Sequence, residues 1–292
     1  MRLATIKHKG EERAGIVASG GVVLLETFNE ETKKQLPTDL FSIIERGHMK
    51  PLTQWYNDGG REGLEHMRCI PFGEVVYGPL YRNPAKIFGI GLNYADHAKD
   101  LGVKTPEGIP GSFFKPATTI VSPGGTIKLP LESHDVDGEG ELAVIIGKEG
   151  KDIESDNWLD YVAGFTTALD MTAIDILLQN TRYLTVAKSF DSFFSFGPHL
   201  LTPDEVPDIA GLKVSTVHNG KVHAEDVVAN MTFPPDFLVS FHSKVMRWLP
   251  GDVISTGTPL GAHLKDGDMI AGHITGFEPI QCDVVDLKVK RN

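Results

Sequence analysis

The sequence predicts an α+β protein, in which a β-rich core of mixed strands follows a small α+β unit at the N-terminus. Two features of the sequence lead to this prediction. From residue 86 onward, short apolar runs rich in β-branched residues recur, and each is bounded by glycine, proline or a polar turn. Before that point, strand-like runs are followed by residues with helical periodicity.

The composition is that of an ordinary globular protein and not of a nucleic-acid-binding one. The chain has 292 residues, of which 41% are apolar and 23% are charged, and this suits one large domain or two modest ones. Its formal net charge is −11 and no basic run occurs, so neither a nucleic acid nor an anionic membrane surface is expected as a partner.

The cysteines and the N-terminus favour a cytoplasmic location. Cys69 and Cys282 are far apart in sequence and imply no disulfide framework, which fits a reducing cytosol. Residues 1–7 lack the long apolar core of a signal peptide. No apolar run approaches the ~20 residues of a transmembrane helix, so no membrane span is expected.

The first part of the chain predicts a small cap without a chemical motif of its own. Two strand patterns precede a helix that is expected to begin after Thr38 or Asp39. Prolines and glycines then interrupt residues 71–84. We therefore predict a small N-terminal domain at residues 1–78 and a larger domain at residues 79–292.

A histidine and an aspartate follow a strand pattern at residues 86–92. If the next residues are helical, His97 and Asp100 lie on one face, where the carboxylate would orient the imidazole and raise its basicity. No nucleophilic serine or cysteine is near, so the pair would activate water. The alternative is an exposed helix turn whose ion pair has no function.

The glycine- and proline-rich segment Leu101–Gly111 is predicted to be a mobile lid.

The stretch Asp137–Gly147 predicts a buried strand with two carboxylates at its entrance. Glu139 and Glu141 are two residues apart, and positions i and i+2 of a strand face the same side. Two like charges beside a core repel each other, and a divalent cation would relieve that repulsion. Glycines on either side of Glu139 would let another group approach the backbone. The alternative is a polar strand end with both carboxylates in water.

A third carboxylate, Asp170, stands at the end of the next strand pattern, before a helix expected at residues 171–178. With Glu139 and Glu141 it would complete an all-oxygen set of ligands, which suits Mg²⁺, Mn²⁺ or Ca²⁺ better than zinc. Three carboxylates and one dication leave one uncompensated negative charge, which Lys188 could neutralise.

The last third of the chain predicts more strands than helices. A hairpin is expected at residues 212–223 with its turn at Asn219-Gly220, and an amphipathic helix is expected at residues 236–249. A strand at residues 251–255 then leads into a tight loop, and two closing strands follow.

Several motifs, in this order along the chain, resemble those of the fumarylacetoacetate hydrolase family. Gly91–Ala98 resembles its GLNYxxHA block, Glu139–Ala143 its ExELA metal motif, Ala187–Asp191 its AKSFD motif and Gly251–Pro259 its GDVIxTGTP motif, while Asp170 falls where the family has a metal-binding aspartate. The resemblance covers residues 84–285, and the motifs are specific in combination although each is weak alone.

The resemblance implies a mixed β-roll core with a small N-terminal domain, assembled as a homodimer. It also implies an enzyme that acts on a small-molecule 2-oxo or β-diketo acid, with Mg²⁺, or alternatively Mn²⁺ or Ca²⁺, held by Glu139, Glu141 and Asp170. The other implied residues are catalytic His97, Asp100 and Lys188 and substrate-binding Tyr94 and Thr258.

The chain departs from the family pattern directly after the metal-binding aspartate. The family's common DVSARDLQ is DMTAIDIL here, so Ile174 and Leu177 replace an arginine and a glutamine that often touch substrate. Arg182 is the candidate to replace that arginine in substrate binding. The acidic partner of His97 is Asp100 rather than a glutamate. The substrate is therefore not expected to be the common small diacid.

Three functions remain open for such a site. The first is hydrolysis of a C–C bond in an acylpyruvate or another β-diketo or 2-oxo acid, which the presence of His97 and Asp100 favours. The second is decarboxylation of oxaloacetate, or isomerisation or hydration of an unsaturated 2-oxo acid. The third is a catalytically silent binding protein, suggested by Ile174 and Leu177. Retention of the three carboxylates and of Lys188 counts against it, because a carboxylate cluster without metal would destabilise the fold.

Overall fold

The computed structural model describes residues 1–94 and 108–290, and it has the predicted α+β class with mixed sheets and short helices. His97 and Asp100 lie outside the described residues. Most of the predicted lid also lies outside them, since only residues 108–111 of that segment are described.

Within the described ranges, strands outnumber helices. The strands are β1 (Arg2–His8), β2 (Glu11–Ala18), β3 (Gly21–Leu24), β4 (Ile70–Pro71), β5 (Ile87–Gly91), β6 (Gly111–Lys115), β7 (Thr126–Leu129), β8 (Val136–Ile146), β9 (Val162–Ala173), β10 (Phe194–Leu201), β11 (Lys213–His218), β12 (Lys221–Val227), β13 (Val253–Ser255), β14 (Ala262–His263), β15 (Met269–Ile274) and β16 (Ile280–Asp286). The α-helices are α1 (Leu25–Thr32), α2 (Leu40–Glu45), α3 (Met49–Trp55), α4 (Arg61–Leu64), α5 (Ile174–Gln179), α6 (Leu184–Lys188) and α7 (Pro235–Val245).

The strands of the described ranges form two mixed sheets. The larger has 11 strands, in the order β4-β3-β2-β1-β10-β9-β8-β13-β5-β6 with β14 beside β8, and the smaller has five, in the order β12-β11-β15-β16-β7. Most neighbours are antiparallel, but β13 runs parallel to β5 and β16 runs parallel to β7. This mixture agrees with the predicted core of mixed strands.

The N-terminal strands extend the large sheet. β1 pairs with β10, with Leu3 opposite Leu200, so β1 to β4 continue the sheet that carries the other strands. The sequence did not predict this pairing, because strands far apart in the chain carry no local signal of their common register. A domain division at residue 78 stays a prediction.

Local signals at one helix start and one hairpin are confirmed. Asp39 caps α2, since its side chain accepts a hydrogen bond from the backbone nitrogen of Ser42 at 2.8 Å. β11 and β12 form the expected hairpin, and its turn residues Asn219 and Gly220 have φ of 50° and 75°. Positive φ at both positions matches the twist of the two strands.

The helix predicted at residues 171–178 is wrong at its beginning. β9 continues through Asp170 to Ala173, because Met171 and Thr172 pair with Gly138 and Asp137 of β8. The helix α5 starts only at Ile174. Pairing with a long neighbouring strand therefore overrides the local helical pattern, and it puts Asp170 inside a strand rather than at its end.

The strand β8 lies between two layers of the core, which explains its continuous apolar run. Leu142 and Val144 pack in one hydrophobic cluster, and Ala143 and Ile145 pack in another.

At the entrance of β8, the small sheet comes very close to the backbone of this strand. A Cβ atom added to Gly140 would lie 2.7 Å from the backbone oxygen of Ser215 in β11. The predicted close approach beside Glu139 is therefore present.

Replacing Gly140 by alanine is expected to lower the free energy of unfolding by about 1–3 kcal/mol, because the backbone of the small sheet must move to admit the methyl group. Gly63 in α4 is the matched control, since a Cβ atom there meets nothing within 4 Å. Gly63→Ala should be neutral or stabilising. Urea denaturation of both variants measures the difference, and equal stabilities would contradict the close packing.

Candidate metal centre and substrate cleft

Three buried carboxylates on two neighbouring strands form the centre of the site. Antiparallel pairing puts Glu139 of β8 directly opposite Asp170 of β9. Glu141 faces the same side of the sheet, two residues along β8. One oxygen of each carboxylate lies within 4.8 Å of one oxygen of each of the others. The strand geometry expected for the two glutamates thus extends to Asp170 through the register of the two strands.

The ammonium group of Lys188, at the end of α6, lies against these carboxylates. Its Nζ atom is 3.0 Å from Glu139 Oε2 and 2.9 Å from Asp170 Oδ2. It also lies 4.3 Å from the centre of the Phe113 ring. Burial lowers the pKa of Lys188, but the nearby carboxylates outweigh burial and raise that pKa above its ordinary value. Lys188 therefore carries a positive charge beside the carboxylates, where the sequence analysis expected it to neutralise their excess negative charge.

A second buried lysine, Lys115 of β6, contacts the same group and is absent from the site predicted from sequence. Its Nζ atom lies 2.6 Å from Asp170 Oδ1. The same ammonium donates hydrogen bonds at 2.8–2.9 Å to the backbone oxygens of Met171, Lys188 and Phe193. Lys115 and Asp170 therefore form a close, fully buried ion pair. Burial lowers the pKa of Lys115 to about 8, although Asp170 opposes this shift.

The charges of the described groups leave room for a cation. Three carboxylates face two ammonium groups, so one net negative charge remains buried. Burial, together with the carboxylates of Asp170 and Glu139, raises the pKa of Glu141. A dication would relieve this repulsion, and three carboxylates within reach of one another suit a hard ion. The residues therefore fit a divalent cation of the predicted kind.

The last residue of β13 and the loop after it hold Glu141 in place. Glu141 Oε2 accepts hydrogen bonds from Ser255 Oγ at 2.5 Å and from the backbone nitrogen of Gly257 at 2.9 Å. Gly257 has φ of 99°, and a Cβ atom there would lie 2.9 Å from Asn93 Cβ. Only glycine fits this position, which gives the tight loop predicted after the strand a structural role in the site.

A cleft of about 180 Å³ is bordered by Glu139, Glu141 and Lys188. Thr258, from the loop after β13, also lines it. Most of the described wall is apolar and includes Ile90, Phe113, Ile174, Leu177, Leu178 and Leu184. The cleft thus combines a charged floor with an apolar wall.

The three substrate-binding candidates from the sequence occupy different places. Thr258 is buried and lines the cleft. Tyr94 is buried outside the described lining, and no described residue makes a hydrogen bond with its hydroxyl group. Burial raises the pKa of this hydroxyl above its ordinary value. Arg182 is exposed and also lies outside the described lining. The substrate roles of all three residues stay predictions.

A second acidic group lies at the start of β8, in the residue before it and on β14, nearer the surface. It consists of Asp135, Asp137 and His263, with His263 Nδ1 2.6 Å from Asp135 Oδ1. Its members are half-buried or exposed, whereas those of the first group are buried. The imidazole already pairs with one carboxylate, so this group has less need of an added cation.

Replacing Lys115 by methionine is expected to lower the free energy of unfolding by about 3 kcal/mol in the presence of a chelator. The change removes the ammonium donor from three buried carbonyls, of which that of Phe193 keeps the backbone nitrogen of Met171 as a donor. It also removes a positive charge beside Asp170. Urea denaturation measures the loss. The control is Lys128→Met, because Lys128 is exposed on β7. Equal stability of the two variants would show that Lys115 does not support the site.

The helices described in residues 1–94 and 108–290 include none with the length and apolar character of a membrane span.

In sequence, the chain matches a family model described as the C-terminal domain of fumarylacetoacetate (FAA) hydrolase over residues 86–285. It is also 34% identical over 301 residues to a Rattus norvegicus protein named oxaloacetate tautomerase Fahd2a, mitochondrial, which covers 99% of this chain and 90% of that protein.

Two solved structures share the whole fold. Fumarylacetoacetate hydrolase from the psychrophilic Exiguobacterium antarcticum matches with a TM-score of 0.81 and 27% identity, over 98% of this chain and 99% of that one. Maleylpyruvate hydrolase from Sphingobium sp. SYK-6, in complex with manganese(II) ion and pyruvate, matches with a TM-score of 0.79 and 27% identity, over 98% and 99% of the two chains. These similarities confirm the predicted fold, and the second shows a divalent ion together with a 2-oxo acid in a protein of this fold.

Proposed function

Because the chain belongs to the fumarylacetoacetate hydrolase family, we propose that it is a metal-dependent enzyme that hydrolyses a C–C bond in an acylpyruvate or a related β-diketo or 2-oxo acid. Relatives are named as a hydrolase of fumarylacetoacetate, a hydrolase of maleylpyruvate and a tautomerase of oxaloacetate. The substrates in these names are all 2-oxo or β-diketo acids, which supports this class of substrate.

The observation that carries the proposal is the group of three buried carboxylates beside Lys188 at one end of a cleft. A divalent cation held by Glu139, Glu141 and Asp170 would polarise the carboxylate and carbonyl oxygens of a 2-oxo acid and lower the energy of its enolate. Mg²⁺ is the proposed ion, with Mn²⁺ or Ca²⁺ as alternatives. The manganese complex of the Sphingobium relative supports a divalent ion and does not distinguish among these.

Lys188 is proposed to stabilise the negative charge that develops on the substrate. Its ammonium is fixed by two carboxylates within 3.0 Å and lines the cleft. A preorganised cation at the place where charge develops lowers the barrier without further reorganisation. Thr258 could donate a hydrogen bond to a bound oxygen from the same wall. Tyr94 remains a substrate-binding candidate by resemblance alone, and Arg182 remains the candidate to replace the arginine that this chain lacks.

His97 is proposed as the general base, with Asp100 as the residue that orients its imidazole. His97 takes a proton from water as the water oxygen adds to the carbonyl carbon distant from the 2-oxo acid. The C–C bond then breaks, and its electron pair stays with the 2-oxo acid as an enolate. Protonation of that enolate carbon gives the free 2-oxo acid, while the other fragment leaves as a carboxylic acid.

Tautomerisation or decarboxylation of oxaloacetate is the second candidate. The relative named oxaloacetate tautomerase, which matches 99% of this chain, favours it. Both reactions need the carboxylate group and Lys188 but no attacking water. Isomerisation or hydration of an unsaturated 2-oxo acid would use the same three carboxylates and Lys188.

A homodimer and a cytoplasmic location complete the proposal. The homodimer follows from the sequence resemblance alone. The cytoplasmic location follows from the composition, whereas the Rattus norvegicus relative is named as mitochondrial. Sedimentation of the purified protein would test the first, and imaging of the tagged protein in its own cell would test the second.

Product identification by NMR tests the proposed reaction. The purified protein would be incubated with Mg²⁺ and either acetylpyruvate or oxaloacetate, with chelator-treated protein as the control. We expect acetylpyruvate to give pyruvate and acetate in equal amounts and only in the presence of Mg²⁺. Rapid enol–keto exchange or decarboxylation of oxaloacetate without cleavage of acetylpyruvate would overturn the hydrolase in favour of the second candidate.

A further inference from the structure

One wall of the cleft comes from two short helices and is apolar. Ile174, Leu177 and Leu178 belong to α5, and Leu184 belongs to α6. Leu178 is 62% exposed, so a large apolar side chain faces open space at the edge of a charged site. Such a surface gains free energy when an apolar ligand group covers it.

This wall is fixed next to the carboxylates. Ile174 directly follows β9 and is buried, and its backbone nitrogen donates a hydrogen bond to the backbone oxygen of Asp135 at 2.8 Å. Asp170 and Thr172 are two residues apart on β9 and face the same side, and Thr172 and Ile174 both line the cleft beside Glu139. Leu177 lies three residues farther on, on the face of α5 that Ile174 occupies. A ligand anchored at the carboxylates would therefore extend along this wall.

The wall offers no counter-charge to a second acidic group. Among the described residues that line the cleft, Lys188 is the only cation, and Glu139 and Asp170 already hold its ammonium. Arg182 is exposed and lies outside that lining. A carboxylate at the far end of a ligand would lose water against isoleucine and leucine without gaining a partner among these residues.

We propose that the substrate has a single carboxylate, at its 2-oxo acid end, and an uncharged alkyl or aryl group at its other end, packed against Ile174, Leu177 and Leu178. This substrate class rests on the proposed function, because it places the 2-oxo acid at the three carboxylates. The charges agree with it. A dication converts the net negative charge of the described groups into one net positive charge, which matches one substrate carboxylate.

A matched pair of 2-oxo acids tests the proposal by binding, apart from any reaction. 2-Oxooctanoate and 2-oxooctanedioate have the same number of carbons and differ in whether the far end is a methyl or a carboxylate group. Calorimetry with Mg²⁺-loaded protein should give at least 30-fold tighter binding of 2-oxooctanoate. Along a series of monoacids, each added methylene should tighten binding by about fourfold until the wall is covered. Equal or tighter binding of the diacid would overturn the proposed substrate class.

Arginine substitutions locate the effect. Leu178→Arg should reduce the preference for the monoacid at least tenfold, and its exposed position should leave folding intact. Ile174→Arg should reduce it further if the buried position tolerates arginine. Val186→Arg is the control, since Val186 is 52% exposed on α6 and outside the described lining, and the preference should stay unchanged. Equal shifts for Leu178→Arg and Val186→Arg would mean that a general charge effect, not the wall, sets the preference, and would overturn the proposal.

Failure of the proposed function gives a different result. If neither acid binds in a Mg²⁺-dependent manner, both the proposed function and the substrate class fail. If both bind with Mg²⁺ and the diacid is preferred, the substrate class alone fails, and the 2-oxo acid site stands.

Discussion

Replacing Glu141 by glutamine is expected to abolish turnover and to remove the rise in melting temperature that Mg²⁺ produces in the parent protein. The amide oxygen can still accept the hydrogen bonds from Ser255 and Gly257, so the change removes a ligand charge and keeps the loop after β13 anchored. A ligand at 100 times its Kd stabilises a protein by about 2.7 kcal/mol, which thermal denaturation with and without Mg²⁺ detects readily. Without metal, the variant should be at least as stable as the parent, because one of three buried like charges is gone.

The second acidic group supplies the control for this prediction. Asp135→Asn changes a carboxylate beside His263 that lies outside the buried group, so the stabilisation by Mg²⁺ should persist. A full Mg²⁺ response in Glu141→Gln, or its loss in Asp135→Asn, would assign the ion to the wrong carboxylates.

The sequence could predict that Glu139 and Glu141 face the same side, because this arrangement depends on one strand alone. Two-residue periodicity puts both side chains on one face whatever the rest of the fold does. The flanking glycines carried further information, since the close approach of β11 to Gly140 explains why a side chain is absent there. Features that depend on a single element are therefore the ones that the sequence predicts best.

The position of Asp170 depended on a partner strand, and the local pattern misplaced it. Residues 171–178 show a helical pattern in isolation, yet residues 171–173 pair with β8 and remain a strand. The opposite placement of Glu139 and Asp170 is a matter of register, and no local pattern specifies it. For the same reason the pairing of β1 with β10 was not predicted.

The burial of Lys115 follows the alternation of β6, which the sequence alone does not show because Phe113 and Phe114 are both apolar. Phe113 and Lys115 are buried, whereas Ser112 and Phe114 between and beside them are exposed. A lysine in phase with a buried phenylalanine on a short strand indicates a buried charge, and a buried charge needs a partner. The acidic partner, Asp170, comes from a different part of the chain, so only the fold identifies it.

Replacing His97 by alanine is expected to lower kcat for the true substrate by ~10²–10⁴ if water attack is the chemical step, since that is the usual effect of losing a general base. The affinity for Mg²⁺ should stay nearly unchanged, because His97 is not among the proposed ligands. Steady-state kinetics and Mg²⁺ titration by calorimetry measure the two quantities separately. Full turnover in His97→Ala would exclude hydrolysis by this residue and would leave tautomerisation or decarboxylation, which require no attacking water.

Lys188→Met gives the contrast that makes this result specific. Removal of an ammonium that lies within 3.0 Å of Glu139 and Asp170 makes the metal site more negative, so Mg²⁺ should bind at least as tightly as in the parent. The anionic substrate and its enolate should both lose stabilisation, which lowers kcat/KM for every candidate reaction. A variant of Lys188 therefore weakens hydrolysis, tautomerisation and decarboxylation alike. A variant of His97 weakens hydrolysis and any tautomerisation that uses this residue as its base, and it leaves decarboxylation unchanged. If both variants lose acetylpyruvate cleavage equally and only His97→Ala still decarboxylates oxaloacetate, the protein is a hydrolase with a residual decarboxylase activity.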